Sequence, residues 1–262
     1  DLLATPEGAL LAFGKMYSPP SALYFFLNPM VYGVTLDRAG GTGGDTYAIA
    51  TYGVTFPTVK VPSRTGYTFL GYWDGQGNEQ YCDAAGKGTK AWWITGDGLL
   101  VAHWKANSYK VSFDANGGLG GQSAQVTATY DAAMPGISTA GPTRNGYTFA
   151  GWWDTSAATG GTRYYTAAGA SARTWNKAAN ATLYARWVAN QYTVTFGKAG
   201  GTGGTDSVTA TFGQAMPAVT PPTRRGYAFL GYWNGEGTVQ YYDAAGKGLR
   251  NWDWWGAGYL EA

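Results

Sequence analysis

The chain has 262 residues, of which 16% are aromatic and about a fifth are Gly or Pro, a balance that places it among folded rather than disordered chains. Charged residues make up only 13%, the formal net charge is +2 and no long run of either sign occurs, which argues against nucleic-acid binding driven by phosphate neutralisation. A single Cys, Cys82, and a single His, His103, exclude a disulfide framework and a Cys/His zinc site, and no apolar stretch approaches the roughly 18 residues that span a bilayer.

The sequence starts at Asp1 with no charged stretch leading into an apolar one, as expected of a processed product or a fragment. Its first 30 residues form a tail holding Leu23, Tyr24, Phe25, Phe26 and Leu27, a run too apolar to rest in water. Tyr32–Leu36 alternates apolar and polar residues, which predicts a strand. The Gly-rich stretch Ala39–Gly44 follows, and Ala48–Tyr52 alternates again, so the pair reads as a hairpin. Pro57 and Pro62 break the next segment and argue against a long helix there. Gly66–Trp73 predicts a third strand, Tyr81-Cys82 a short fourth, and Leu99–Trp104 a closing one.

The same order returns twice. Gly66-Tyr67-Thr68-Phe69-Leu70-Gly71-Tyr72-Trp73 is answered by Gly146–Trp153 and Gly226–Trp233, and the Gly cluster by Asn116–Gly121 and Ala199–Gly204. The first and third copies align without a gap at an offset of 160. The predicted organisation is a tail over 1–30 and modules over 31–107, 108–190 and 191–262, the last shortened at its final strand. Each module is long enough to bury a modest core alone, unlike a solenoid unit of roughly 20–45 residues. Repeating aromatics at strand period predict the core: Tyr67, Phe69 and Trp73, then Tyr147, Phe149 and Trp153, then Tyr227, Phe229 and Trp233.

The second copy carries Tyr-x-Val-x-Phe before Gly117-Gly118, Pro-Thr-Arg-x-Gly-Tyr-x-Phe-x-Gly-Trp-Trp over Pro142–Trp153, and Leu-Tyr-Ala-Arg-Trp over Leu183–Trp187. These motifs, over about residues 31–262, resemble the Listeria–Bacteroides repeat, the internalin B-repeat-like module of bacterial surface proteins. The resemblance implies a small β-grasp-like fold with little helix, β-rich and α+β at most, and an extracellular or cell-surface place. It does not imply catalysis.

The two ends complement each other. At the offset of 160, Leu23-Tyr24 falls on Leu183-Tyr184 and Leu27 on Trp187, so the tail contains a closing strand without a module body. At the other end, Gly258–Ala262 falls on Gly98–Ala102, and counterparts of His103-Trp104 do not follow. One expectation is therefore a head-to-tail fibre, with Leu23–Leu27 of one copy added beside Tyr259–Ala262 of the next. Trp252, Trp254, Trp255, Tyr259 and Leu260 are the expected acceptor residues, with Trp252 and Trp254 on one face of an extended segment. Two alternatives stand beside it. The chain is a stalk or adhesin segment, with exposed Trp stacking on glycan or a host or matrix protein as partner, or the tail folds back on its own first module.

No constellation supports an enzyme, a cofactor or a metal. The Gly clusters lack the Gly-Lys-Ser/Thr and helix of a phosphate loop. Asp37 and Asp114 align with Gly197, Asp74 and Asp154 with Asn234, and Asp83 and Asp243 with Thr166. Such positions suit turn-capping hydrogen bonds better than a catalytic pair. Calcium at these turns is the alternative, without an EF-hand or nonapeptide pattern to support it. His103 aligns with Arg186 and reads as a solvated strand position, while Cys82 takes the aromatic place of Tyr165 and Tyr242, as a buried thiol does. Asn180-Ala181-Thr182 has the form of a glycosylation sequon.

Overall fold

The computed structural model describes residues 28–122, 124–254 and 258–262, together with the strands β1 (Leu3–Ala4) and β2 (Leu10–Leu11), which pair antiparallel. The chain divides into two compact units, Asp1–Asn107 and Ser108–Ala262. The first unit holds module 1 and the second holds modules 2 and 3.

Module 1 consists of β3 (Val31–Asp37), β4 (Tyr47–Thr51), β5 (Tyr67–Asp74), β6 (Gln80–Cys82) and β7 (Gly98–Ala106). Module 2 repeats the set as β8 (Ser108–Asp114), β9 (Val126–Thr129), β10 (Tyr147–Trp153), β11 (Arg163–Tyr165) and β12 (Ala181–Ala189). Module 3 has β13 (Gln191–Gly197), β14 (Ser207–Thr211), β15 (Tyr232–Asn234), β16 (Gln240–Tyr242) and β17 (Gly258–Glu261). Each set forms one five-stranded sheet, ordered β4-β3-β7-β5-β6 in module 1 and equivalently in the others. First and last strands run parallel at the centre, and all other neighbours are antiparallel. This is the mixed order of a β-grasp-like sheet. The Pro-bracketed connection stands where such a fold could carry a helix, and the described residues contain none.

The hairpins form where the alternation and the Gly cluster place them, with Val31 paired to Thr51 and Thr35 to Tyr47. Asp37 Oδ1 accepts from Ala39 N at 2.8 Å, and Ala39 and Gly40 take the positive φ values that the turn requires. The other aligned Asp and Asn side chains cap turns as well. Asp74 Oδ1 accepts from Asn78 N, Asn234 Oδ1 from Thr238 N and Val239 N, and Asp83 Oδ1 from Ala85 N and Lys87 N. At Asp154, burial opposes ionisation, but the Thr162 N–H and Lys177 together hold the carboxyl below its usual range. Among the described residues, no three His, Cys, Asp or Glu side chains gather as a metal site.

Three separate cores result. Trp92, Tyr72, Cys82 and Leu100 fill the first; Trp175, Trp152, Tyr165 and Leu183 the second; Trp252, Tyr232, Tyr242 and Leu260 the third. The expected core aromatics are therefore partly displaced. Phe69 is buried and Phe149 and Phe229 pack against their cores, but Trp73, Trp153 and Trp233 are only half-buried. The cause is a β-bulge: the β5–β7 register shifts between Phe69 and Gly71, so inward facing passes from Phe69 to Tyr72 instead of Trp73. Gly71 has φ +135, and a methyl there would overlap the Cys82 carbonyl oxygen. Trp73 is turned outward and stacks on His103 at 4.4 Å, as Trp153 lies under the Arg186 guanidinium at 4.6 Å. Tyr67 and Tyr147 are half-buried and Tyr227 is exposed, each beneath a guanidinium: Arg64, Arg144 and Arg224 at 4.0–4.2 Å.

Candidate functional site

The closing strands of modules 1 and 2 do two jobs along their length. Their first halves lie between two neighbours: Gly98–Val101 pairs with Val34–Asp37 on one side, and β5 lies on the other. Their second halves bond only to the third strand, with Phe69 opposite Trp104 and Tyr67 opposite Ala106 in module 1, and Phe149 opposite Trp187 and Tyr147 opposite Ala189 in module 2. The Trp at that level seals the module. Trp104 packs edge-on against Phe69 at 5.3 Å, covers Gly41 and donates its Nε1–H to the Arg38 carbonyl at 3.1 Å. Trp187 does the same over Gly118, donating to the carbonyls of Ala115 and Asn116.

Among the described residues, module 3 supplies the first half of this strand. In β17, Val194–Gly197 flanks Gly258–Glu261 on one side, and Trp233 and Asn234 pair with Glu261 and Leu260 on the other. Ala262 N donates to the Gly197 carbonyl at 3.0 Å. The segment Tyr227–Gly231, expected as strand, has no strand beside it among the described residues, and β15 starts only at Tyr232. Tyr227 and Leu230 are 68% and 69% exposed. Among the described residues no indole covers Gly201, and a groove of about 230 Å³ opens there, lined by Lys198, Gly201, Pro222, Phe229, Leu230 and Trp233. Its carbonyls remain oriented as in the other modules, since the Lys198 oxygen accepts from Gly201 N and the Ala199 oxygen from Arg224.

This moves the open position away from the expected acceptor residues. Leu260 is a core residue and Tyr259 lies exposed on the outer sheet face, in a strand already bonded on both sides. Trp252 is fully buried, bridged to Phe212 as Trp92 is to Tyr52, so it does not share an exposed face with Trp254. Trp254 is exposed and stacks on Trp252 at 6.3 Å. Trp255 and the tail residues Leu23–Leu27 lie outside the described residues. The open edge at Tyr227–Gly231 was missed in the sequence, although the absence of counterparts to His103-Trp104 pointed to it.

The junction between modules 2 and 3 is also defined. Asn190 N donates to the Gly146 carbonyl and Phe212 N to the Asn190 carbonyl, both at 2.9 Å. The Tyr147 ring meets Phe212 edge-on at 5.4 Å, and Gly146 lies so close to Phe212 that any side chain there would collide with its ring.

The profile of the Listeria–Bacteroides repeat domain matches residues 32–98, 109–186 and 192–250. A protein of Evansella cellulosilytica described as a Gly-rich membrane protein is 27% identical over 84% of this chain and 23% of its own length. A second membrane protein of that organism is 28% identical over 70% of the chain and 25% of its own length. Internalin H of Listeria monocytogenes is 36% identical over 49% of the chain and 20% of its own length. The chain thus spans about a quarter or less of these relatives, and no solved structure matches it. Among the described residues, no helix is long and apolar enough to cross a membrane, which says nothing of β-barrels.

Proposed function

The chain belongs to the Listeria–Bacteroides repeat domain family, and from that membership we propose that it is a non-enzymatic structural protein of a bacterial surface whose copies join head to tail by strand donation. The observation that carries the reading is the open groove beside Tyr227–Gly231. The names of the relatives, membrane protein and internalin, support a place at the cell surface.

The register of modules 1 and 2 defines what the groove accepts. The positions at this edge are those of His103–Ala106 in module 1 and Arg186–Ala189 in module 2, and at the offset of 160 the latter correspond to Phe26, Leu27, Asn28 and Pro29. Leu27 takes the place of the sealing Trp above Gly201. Pro29 takes the place of Ala106, where it costs no ladder bond. Asn107 N bonds the Gly66 carbonyl, so Tyr67 and Ala106 form a non-hydrogen-bonded pair and the Ala106 N–H points away from β5. Leu23–Phe25 correspond to Leu100–Ala102, whose places in module 3 Leu260–Ala262 already hold. Donation therefore uses Phe26–Pro29 rather than the whole of Leu23–Leu27. A heterologous contact of this kind does not close on itself and propagates as a fibre.

The relatives are at least four times the length matched, which favours a second reading: the groove takes a following strand of one longer polypeptide, and the modules form a stalk. Electron microscopy of the intact chain beside a version starting at Val31 separates the two. Fibres from the intact chain, lost on truncation and blocked by a peptide spanning residues 23–30, are expected from strand donation. Monomers from both versions would leave the stalk.

A further inference from the structure

We infer that the segment Tyr52–Val54 of module 1 is a docking face for the Arg224–Tyr227 turn of a second copy, and that Trp93 covers this face until the turn arrives. The inference rests on the head-to-tail reading and adds to it a second contact and a control.

The template is the junction inside the second unit. There, module 3 receives module 2 through Phe212, Gly213 and Gln214, with Tyr147 capping Phe212. The incoming turn is held ready by Arg144 lying over Tyr147. Among the described residues, both halves of this junction recur without each other. Module 3 presents Arg224 over Tyr227 in the same stacked form, at 4.0 Å, with Tyr227 largely exposed. Module 1 presents Tyr52, Gly53 and Val54 in the places of Phe212, Gly213 and Gln214. Tyr52 N donates to the Met30 carbonyl at 2.9 Å, as Phe212 N does to Asn190. Met30 follows directly on Phe26–Pro29, so a tail seated in the groove brings this face to the turn of the accepting copy.

Trp93 now occupies the place of the incoming ring. It meets Tyr52 edge-on at 5.3 Å, where Tyr147 meets Phe212 at 5.4 Å. A side chain at Gly53 would touch Trp93 at 3.2 Å, and one at Gly213 would touch Tyr147 at 3.3 Å. The aromatic is confined to module 1. Its counterparts Asn176 and Asp253 instead accept hydrogen bonds from Tyr164 and Tyr241. Trp93 remains 58% exposed and Val54 53% exposed, so little burial holds the cover closed. Tyr227 and Trp93 therefore compete for one ring, and docking displaces Trp93 outward.

The test is sedimentation velocity on the full chain and three variants, with near-ultraviolet circular dichroism as the folding control. Trp93→Asn uncovers the face and gives Tyr81 the partner that Asn176 gives Tyr164; self-association about tenfold tighter is expected. Tyr227→Ala removes the incoming ring and is expected to weaken association about tenfold. Leu27→Asp tests the strand alone. Weaker association of Trp93→Asn overturns the cover. An unchanged affinity in both Trp93→Asn and Tyr227→Ala, with loss in Leu27→Asp, overturns the docking face and leaves strand donation standing. No association in any of the four chains overturns both.

Discussion

Glycine 71 and cysteine 82 meet at the bulge of module 1, and each makes a measurable demand. Gly71 combines φ +135 with immediate contact to the Cys82 carbonyl, so Gly71→Ala has neither the conformation nor the room it needs. Its expected cost is about 3 kcal/mol by chemical denaturation. Gly43 has φ +67 and nothing within 4 Å, so Gly43→Ala isolates the conformational part and is expected to cost about 1 kcal/mol. The difference between the two variants measures the steric part. Burial, assisted by Asp83, pushes the Cys82 thiol up from 9.0 to about 12. The folded chain thus keeps a proton that the unfolded chain begins to lose near pH 9. This contribution to stability is complete below that pH and drains away as pH rises towards about 12. Burial also pushes Tyr72 and Tyr165 up from 10.0 to about 12, so their part of the decline starts about one pH unit higher. Cys82→Val is expected to flatten stability between about pH 9 and 10 while leaving the later decline, as read from urea midpoints across that range.

The closing strand is the element on which each module turns, and it shows what the sequence could and could not disclose. Hairpins were legible because alternation and Gly clusters are local signals, and the three sheets follow from their repetition. The core was legible only in part. Period-2 reasoning carries inward facing from Phe69 to Trp73, and the bulge at Leu70–Gly71 shifts it to Tyr72. Gly71 itself, repeated as Gly151 and Gly231, is the trace such a bulge leaves in a sequence. The groove was harder to locate, because the alignment of Gly258–Ala262 with Gly98–Ala102 does not show which neighbours those residues pair with. Only the pairing places β17 between two partners and, among the described residues, Tyr227–Gly231 beside none. The same element predicts the effect of removing its seal. Trp104→Ala takes away contacts to Phe69 and Gly41 and the bond to the Arg38 carbonyl, while the backbone of His103–Ala106 still pairs with β5. A loss of about 3 kcal/mol is expected by chemical denaturation, with no binding of the 23–30 peptide to module 1, because the strand position stays filled.

At the scale of the whole molecule, modules 2 and 3 fall within one compact unit, Ser108–Ala262, and are expected to unfold together. Modules 2 and 3 have separate sheets and cores, yet they share the Phe212–Tyr147 contact and the paired bonds through Asn190. A module of this size alone is marginal, and a junction that packs an aromatic ring against its neighbour couples two of them. Differential scanning calorimetry of the full chain is therefore expected to show modules 2 and 3 melting in a single transition. Equivalent lesions test this. Gly151→Ala in module 2 and Gly231→Ala in module 3 remove the same backbone freedom next to the Tyr165 and Tyr242 carbonyls, and each lowers that transition by about 8 °C. If Gly231→Ala instead splits that transition, leaving a fraction of the heat at the original temperature, the junction does not couple the modules. The turn Arg144–Tyr147 would then be a weak template for contact between copies, and head-to-tail joining would rest on the donated strand alone.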